Sequence, residues 1–142
     1  MDGAYQKSIP SDKYQIKPVV REILGFVEKH LPGLSEDEYG DLRLVFSELL
    51  YNAVIHGNHE DLRKKVAVGV EIKRDTVFAS IMDEGRGFDI RHDLSRVLHC
   101  KDCQNLDESG RGIPLVYSLT DALDFNDRGN QIRFHKKVGV HG

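Results

Sequence analysis

The change of hydrophobic period at Val66 constrains this chain more than any other feature. Before it, apolar residues recur at helical spacing, and after it they alternate. In "LSEDEYGDLRLVFSELLYNAVIHG", the stripe Leu42, Val45, Leu49 and Ala53 follows a Ser35 cap and a first turn rich in acids, and Gly57 ends the run. Upstream, "KPVVREILGFVEKHL" sets Val19, Val20, Ile23, Leu24, Val27 and Leu31 on one face and stops at Pro32-Gly33. The spacing predicts two amphipathic helices. From Val66 onward, Val66, Val68, Val70 and Ile72 alternate with Ala67, Gly69, Glu71 and Lys73, and a polar turn "RDT" leads into "VFASIM". That alternation predicts a β-hairpin.

Residues 89–109 are polar and weakly periodic, a loop long enough to suggest a functional role. Gly112 to Leu119 has the pattern of a short helix, and "ALDF", "NDRGN" and "QIRFHKKV" read as strand, turn and strand. The expected order is helix, helix, two strands, loop, helix, two strands. Such an order predicts an α+β fold, a two-layer sandwich with helices on one face of a mainly antiparallel mixed sheet. With 142 residues the chain has the size of one domain, spanning 1–142, with one core. Its 20 basic and 23 acidic residues give a net charge of −3 without long runs of either sign, which argues against direct nucleic-acid binding and against a membrane-binding stripe. No apolar run approaches the roughly eighteen residues of a membrane span, and the amino terminus does not have the apolar run of a signal peptide. A cytoplasmic protein is expected.

Three clusters carry residues suited to chemistry. Glu48, Asn52 and His56 recur every four residues beside the apolar stripe of the second helix, where they could line a pocket between helix and sheet. They offer a carboxylate to orient or deprotonate a hydroxyl, an amide oxygen hard enough for Mg²⁺, and an imidazole. Taken alone, they read more readily as a solvated polar flank in which His56 and Gly57 finish the helix. Asp83 follows the second hairpin strand, where a buried acid needs partners, and an adenine amino group is one suitable donor. Gly85 and Gly87 permit close backbone approach, though Asp and Gly also make ordinary turns. In "ESGRGIPLV", Gly110 and Gly112 precede a helical run, where backbone amides can cradle phosphate, or where a loop simply meets a helix.

The joint order of these clusters is more specific than any one of them. E-x3-N-x3-HG on a helix, DEGRGF after a strand, then a long loop and SGRG before a helix resemble the GHKL (Bergerat-fold) ATPase superfamily, and within it the bacterial anti-sigma-factor serine-protein kinases. The resemblance runs from about Tyr5 to Lys137. It implies a Bergerat-type sandwich that binds ATP with Mg²⁺. It assigns Glu48 as the catalytic base or hydroxyl orienter, Asn52 as the Mg²⁺ ligand, and Asp83 as the adenine acceptor. Gly85 and Gly87 would bend the chain around the nucleotide, Gly110, Arg111 and Gly112 would face the phosphates, and residues 89–109 would be the ATP lid. It also implies a serine/threonine-protein kinase that phosphorylates a small anti-anti-sigma partner of the STAS type, sequesters a sigma factor, and forms a homodimer. Exposed positions on the first helix, Arg21 foremost, are expected to form part of the partner surface, with an ordinary solvated helix charge as the alternative.

Two departures from the family pattern stand out. "GNQIRF" occupies a place where relatives often carry small Gly-Thr residues, so neither Asn130 nor Gln131 is expected to have a side-chain role with nucleotide. "HCKDC" brings His99, Cys100 and Cys103 together near His92, which makes a zinc site conceivable, against a simpler pair of reduced cysteines. The competing functional class is a nucleotide-gated binding module that holds ATP and transfers nothing. A detached ATP domain that phosphorylates histidine would need a separate acceptor chain.

Overall fold

A computed structural model describes residues 2–85 and 108–138, and of 108–112 the backbone. The elements are β1 (Gly3–Pro10), α1 (Ile16–His30), α2 (Glu36–Tyr51), a π-helical turn (Asn52–Gly57), β2 (Lys65–Lys73), β3 (Thr76–Met82), α3 (Glu108–Leu119), β4 (Ala122–Phe125) and β5 (Gln131–Lys137). The strands form one sheet in the order β1-β2-β3-β5-β4, and each described pairing is antiparallel.

One face of the sheet makes the core. Val66, Val68, Val70 and Ile72 of β2 and Val77, Ala79 and Ile81 of β3 are buried, as their alternation requires, beneath α1 and α2. The six positions Ile16, Val19, Val20, Ile23, Leu24 and Val27 supply the buried stripe of α1. Phe46 of α2 meets Phe134 of β5 edge to face at 5.3 Å. The opposite sheet face carries Phe78 and Arg133 toward solvent.

Helix α2 begins at a complete capping box. Ser35 Oγ accepts the Glu38 N–H at 3.1 Å, and Glu38 Oε1 accepts the Ser35 N–H at 3.0 Å. Glu36, Asp37 and Glu38 then sit where the helix dipole favours negative charge.

The structure corrects the expected element order in three places. A strand, β1, precedes the first helix and pairs with β2 along its whole length, Gly3 opposite Ile72 and Pro10 opposite Lys65. It is an edge strand whose one fully buried side chain is Ile9, so its hydrophobic signal is weak. Its inward Tyr5 and Lys7 instead reach Glu22 of α1, by hydrogen bonds of 2.8 and 3.0 Å. Second, α2 does not stay α-helical to Gly57: over Asn52–Gly57 the turns widen, and the Asn58 N–H reaches back to the carbonyl of Ala53 at 2.9 Å. Third, α3 starts at Glu108 rather than at Gly112, which puts Gly110 and Arg111 as well as Gly112 in its first turns. Pro114 lies inside this helix and has no N–H to give the carbonyl of Gly110.

Candidate functional site

The candidate site lies where α2 turns π-helical over the carboxyl end of β3. A π-helical segment shifts the side chains that follow it relative to an α-helical frame, and such segments concentrate at functional sites. Here the shift falls between Asn52 and His56, so the stripe of Glu48, Asn52 and His56 expected from four-residue spacing does not continue as one α-helical row. Glu48 is half-buried in the last turn of α2. Asn52 is bound through its backbone N–H to the carbonyls of Glu48 and Leu49.

Asn52 and Asp83 line the same cavity of about 40 Å³, together with Asn130 and the apolar Leu49, Ile81 and Ile113. Among the described residues, neither Oδ1 nor Nδ2 of Asn52 has a hydrogen-bond partner although both atoms are buried, and Nε2 of His56 is in the same condition. Orphaned buried amide atoms are costly in a folded protein and mark places where water, an ion or a ligand belongs. An amide oxygen in that position fits a hard cation such as Mg²⁺, which takes few protein ligands and completes its shell with phosphate oxygens and water. Among the described residues, no cluster of three or more His, Cys, Asp or Glu is placed to hold a metal by itself.

Asp83 is half-buried, and burial pushes its carboxyl above the ordinary aspartate value. The N–H of Gly85, donating to Oδ1 at 2.8 Å, and the positive charges of Arg128, Lys64 and His59 oppose that shift. Two glycines make room for this carboxylate. A Cβ on Gly57 would collide with the Asp83 carboxylate, and a Cβ on Gly85 would collide with the carbonyl of Gly57. The open space at Gly85 is therefore filled by the protein's own backbone. Gly57, read in the sequence only as a helix stop, is equally necessary.

The structure thus brings Asn52, Asp83 and Gly85 together, with Glu48 one turn before Asn52. The backbones of Gly110, Arg111 and Gly112 stand at the start of α3, whose Ile113 enters the cavity wall. Gly87, the lid at 89–109 except its last two residues, and the group His92, His99, Cys100 and Cys103 lie outside the described residues. Two residues carry more of the site than the sequence suggested. Asn58 is completely buried, and Asn130, expected to have no side-chain role with nucleotide, bonds directly to the backbone of Asp83. An asparagine after a helix or in a turn gives no sequence signal that separates such a role from an ordinary cap.

The helix-covered antiparallel sheet is the two-layer α+β sandwich expected from the sequence, and Asp83 beyond the end of β3 shares a cavity with Asn52. Residues 9–136 match the family described as the histidine kinase-like ATPase domain. The chain is 29% identical over 119 residues to an anti-sigma F factor of Lysinibacillus sphaericus, covering 81% of this chain and 79% of that protein. It is 31% identical over 109 residues to an anti-sigma F factor of Clostridium beijerinckii, covering 73% and 74%. It is 29% identical over 115 residues to serine-protein kinase RsbW of Bacillus subtilis, covering 75% and 72%. The chain belongs to the histidine kinase-like ATPase family, in its anti-sigma-factor branch. Among the described residues, no helix is long and apolar enough to cross a membrane.

Proposed function

We propose that this protein is an ATP-dependent serine-protein kinase that also acts as an anti-sigma factor: it phosphorylates a small anti-anti-sigma partner and sequesters a sigma factor. The observation that supports this best is the cavity shared by Asn52 and Asp83, with both polar atoms of the Asn52 amide buried and without a hydrogen-bond partner among the described residues. Asp83 accepts the exocyclic amino hydrogen of adenine. Asn52 offers its Oδ1 to Mg²⁺, which when bound supplies charge neutralisation on the triphosphate. The start of α3 turns backbone N–H groups toward the phosphates. The cavity between Asn52 and Asp83, about 40 Å³, is smaller than a nucleotide base.

Glu48 orients the acceptor hydroxyl and takes its proton on a carboxylate oxygen as the serine oxygen bonds the γ-phosphorus and the bond to the β,γ-bridging oxygen breaks, releasing ADP. Little covalent chemistry is demanded of the chain in such a transfer, and positioning with electrostatic stabilisation provides most of the catalysis. Arg21, exposed on α1, contributes to the partner surface, and two copies of the chain form the working unit in the cytoplasm.

The test is capture of interacting proteins with and without ATP and Mg²⁺, followed by transfer of labelled γ-phosphate to any small partner recovered. Transfer should occur with the wild type and disappear in Glu48→Ala and Asn52→Ala, both variants remaining folded by circular dichroism. Transfer retained in both variants overturns the catalytic assignment. ATP binding without transfer by the wild type replaces the kinase with a nucleotide-gated binding module.

A further inference from the structure

The peptide unit joining Asp83 to Glu84 is pinned at both ends by asparagine side chains from different parts of the fold. At one end, Asn130 Nδ2 donates to the carbonyl oxygen of Asp83 at 3.0 Å. At the other, Asn58 Oδ1 accepts the N–H of Glu84 at 2.8 Å. A peptide unit is a rigid plane, so it cannot rotate without breaking both bonds. The N–H of Asp83 is also held, by the carbonyl of Asn130 at 2.9 Å. Together these bonds fix the backbone on both sides of the Asp83 side chain.

Each asparagine is itself held in one orientation. Asn126 Nδ2 donates to Asn130 Oδ1 at 2.7 Å, which identifies the oxygen side of the Asn130 amide and turns Nδ2 toward Asp83. Asn126 Oδ1 in turn accepts the N–H groups of Gly129 and Asn130 at 2.7 and 3.0 Å, closing the turn between β4 and β5, where Gly129 takes a φ of 81°. Asn58 is 0% exposed, and its Nδ2 donates to Ser11 Oγ at 2.8 Å and to the carbonyl of Lys65 at 3.0 Å. Ser11, equally buried, donates a hydrogen bond from its hydroxyl to the carbonyl of Lys64 at 2.7 Å. One buried amide thus ties the end of β1, the start of β2 and the segment after β3 to the end of the π-helical turn.

We propose that Asn58 and Asn130 are positioning residues for base recognition, holding the Asp83–Glu84 peptide so that the Asp83 carboxylate selects a purine bearing an exocyclic amino group. The proposal rests on the adenine role given to Asp83 above. Neither side chain needs to touch the base. A purely structural clamp would secure the fold and affect every nucleotide alike, whereas a clamp that aims the carboxylate affects the group the carboxylate reads.

The test compares ATP with purine riboside triphosphate, the same nucleotide without the 6-amino group, by calorimetric titration in Mg²⁺. The wild type should prefer ATP, and Asn130→Ala and Asn58→Ala should each reduce that preference by about tenfold, the worth of one misdirected hydrogen bond. Thermal unfolding monitors the fold. Asn58→Ala leaves buried partners unpaired and could fail to fold, but Asn130 is half-buried in a turn and its variant carries the test alone. If both affinities fall equally and the preference is unchanged, the residues are structural and the proposal is wrong. If the wild type itself shows no preference for ATP, the adenine role of Asp83 falls first, and the clamp with it.

Discussion

Replacing Asp83 with Asn should weaken ATP binding and add stability relative to the wild type as pH rises to neutrality, and the two effects have separable causes. The substitution preserves shape and keeps an Oδ1 for the N–H of Gly85, which donates at 2.8 Å in the wild type. With that oxygen engaged, the adenine amino group meets an amide N–H instead of a carboxylate oxygen. A hydrogen bond to a charged group contributes about 1.5–3 kcal/mol, so ATP affinity should fall roughly ten- to a hundredfold. Stability moves the other way. Burial raises the Asp83 carboxyl in the folded protein, so the folded state holds this proton more tightly than the unfolded chain. Stability from such a group is complete below the unfolded aspartate value and is lost as pH rises through the higher folded value. Asparagine has no proton to lose, so Asp83→Asn should gain stability relative to the wild type as pH goes from the acid side of that range to neutrality. Calorimetric ATP titration and urea unfolding at both pH values measure the two effects. Unchanged ATP affinity refutes the adenine role. A variant whose relative stability falls toward neutral pH refutes desolvation as the dominant influence on Asp83.

Gly57→Ala should cost about 1–3 kcal/mol in urea unfolding, because its methyl group overpacks against the Asp83 carboxylate, and the displaced carboxylate should weaken ATP binding in the same titration. Ser35→Ala removes half of the α2 capping box and should destabilise the protein by about 1 kcal/mol. Because the cap stands at the far end of α2 from Asn52, ATP affinity of the folded variant should stay unchanged, and a drop would show that the helix start is coupled to the site. Arg21→Glu reverses an exposed charge on α1 and should weaken capture of the protein partner, measured by surface plasmon resonance, without altering ATP affinity. Unchanged partner affinity would remove Arg21 from the interface.

What was legible in the sequence and what was not follow from how each element obtains its energy. Helices α1 and α2 and the β2–β3 hairpin bury side chains at fixed periods, so Val19 through Val27 and Val66 through Ile72 declare them. Strand β1 obtains its order from the backbone bonds it makes to β2 and buries little beyond Ile9, so no comparable period exists to be read. The widened turn at Asn52–Gly57 is likewise a backbone choice, and four-residue spacing in the side chains gives no warning of it. The site divides along the same line. As members of the candidate site, Asn52 and Asp83 could be picked out because a strand end, a helix face and two glycine clusters fall in one order along the chain. Asn58 and Asn130 were not, because their significance lies in a single peptide unit that they reach from segments 72 residues apart in the numbering, 130 less 58. A side chain that contacts ligand must be of a particular chemical type, which a motif can record. A side chain that orients a neighbour needs only a donor or an acceptor in the right place, and many sequences can supply that without a shared pattern.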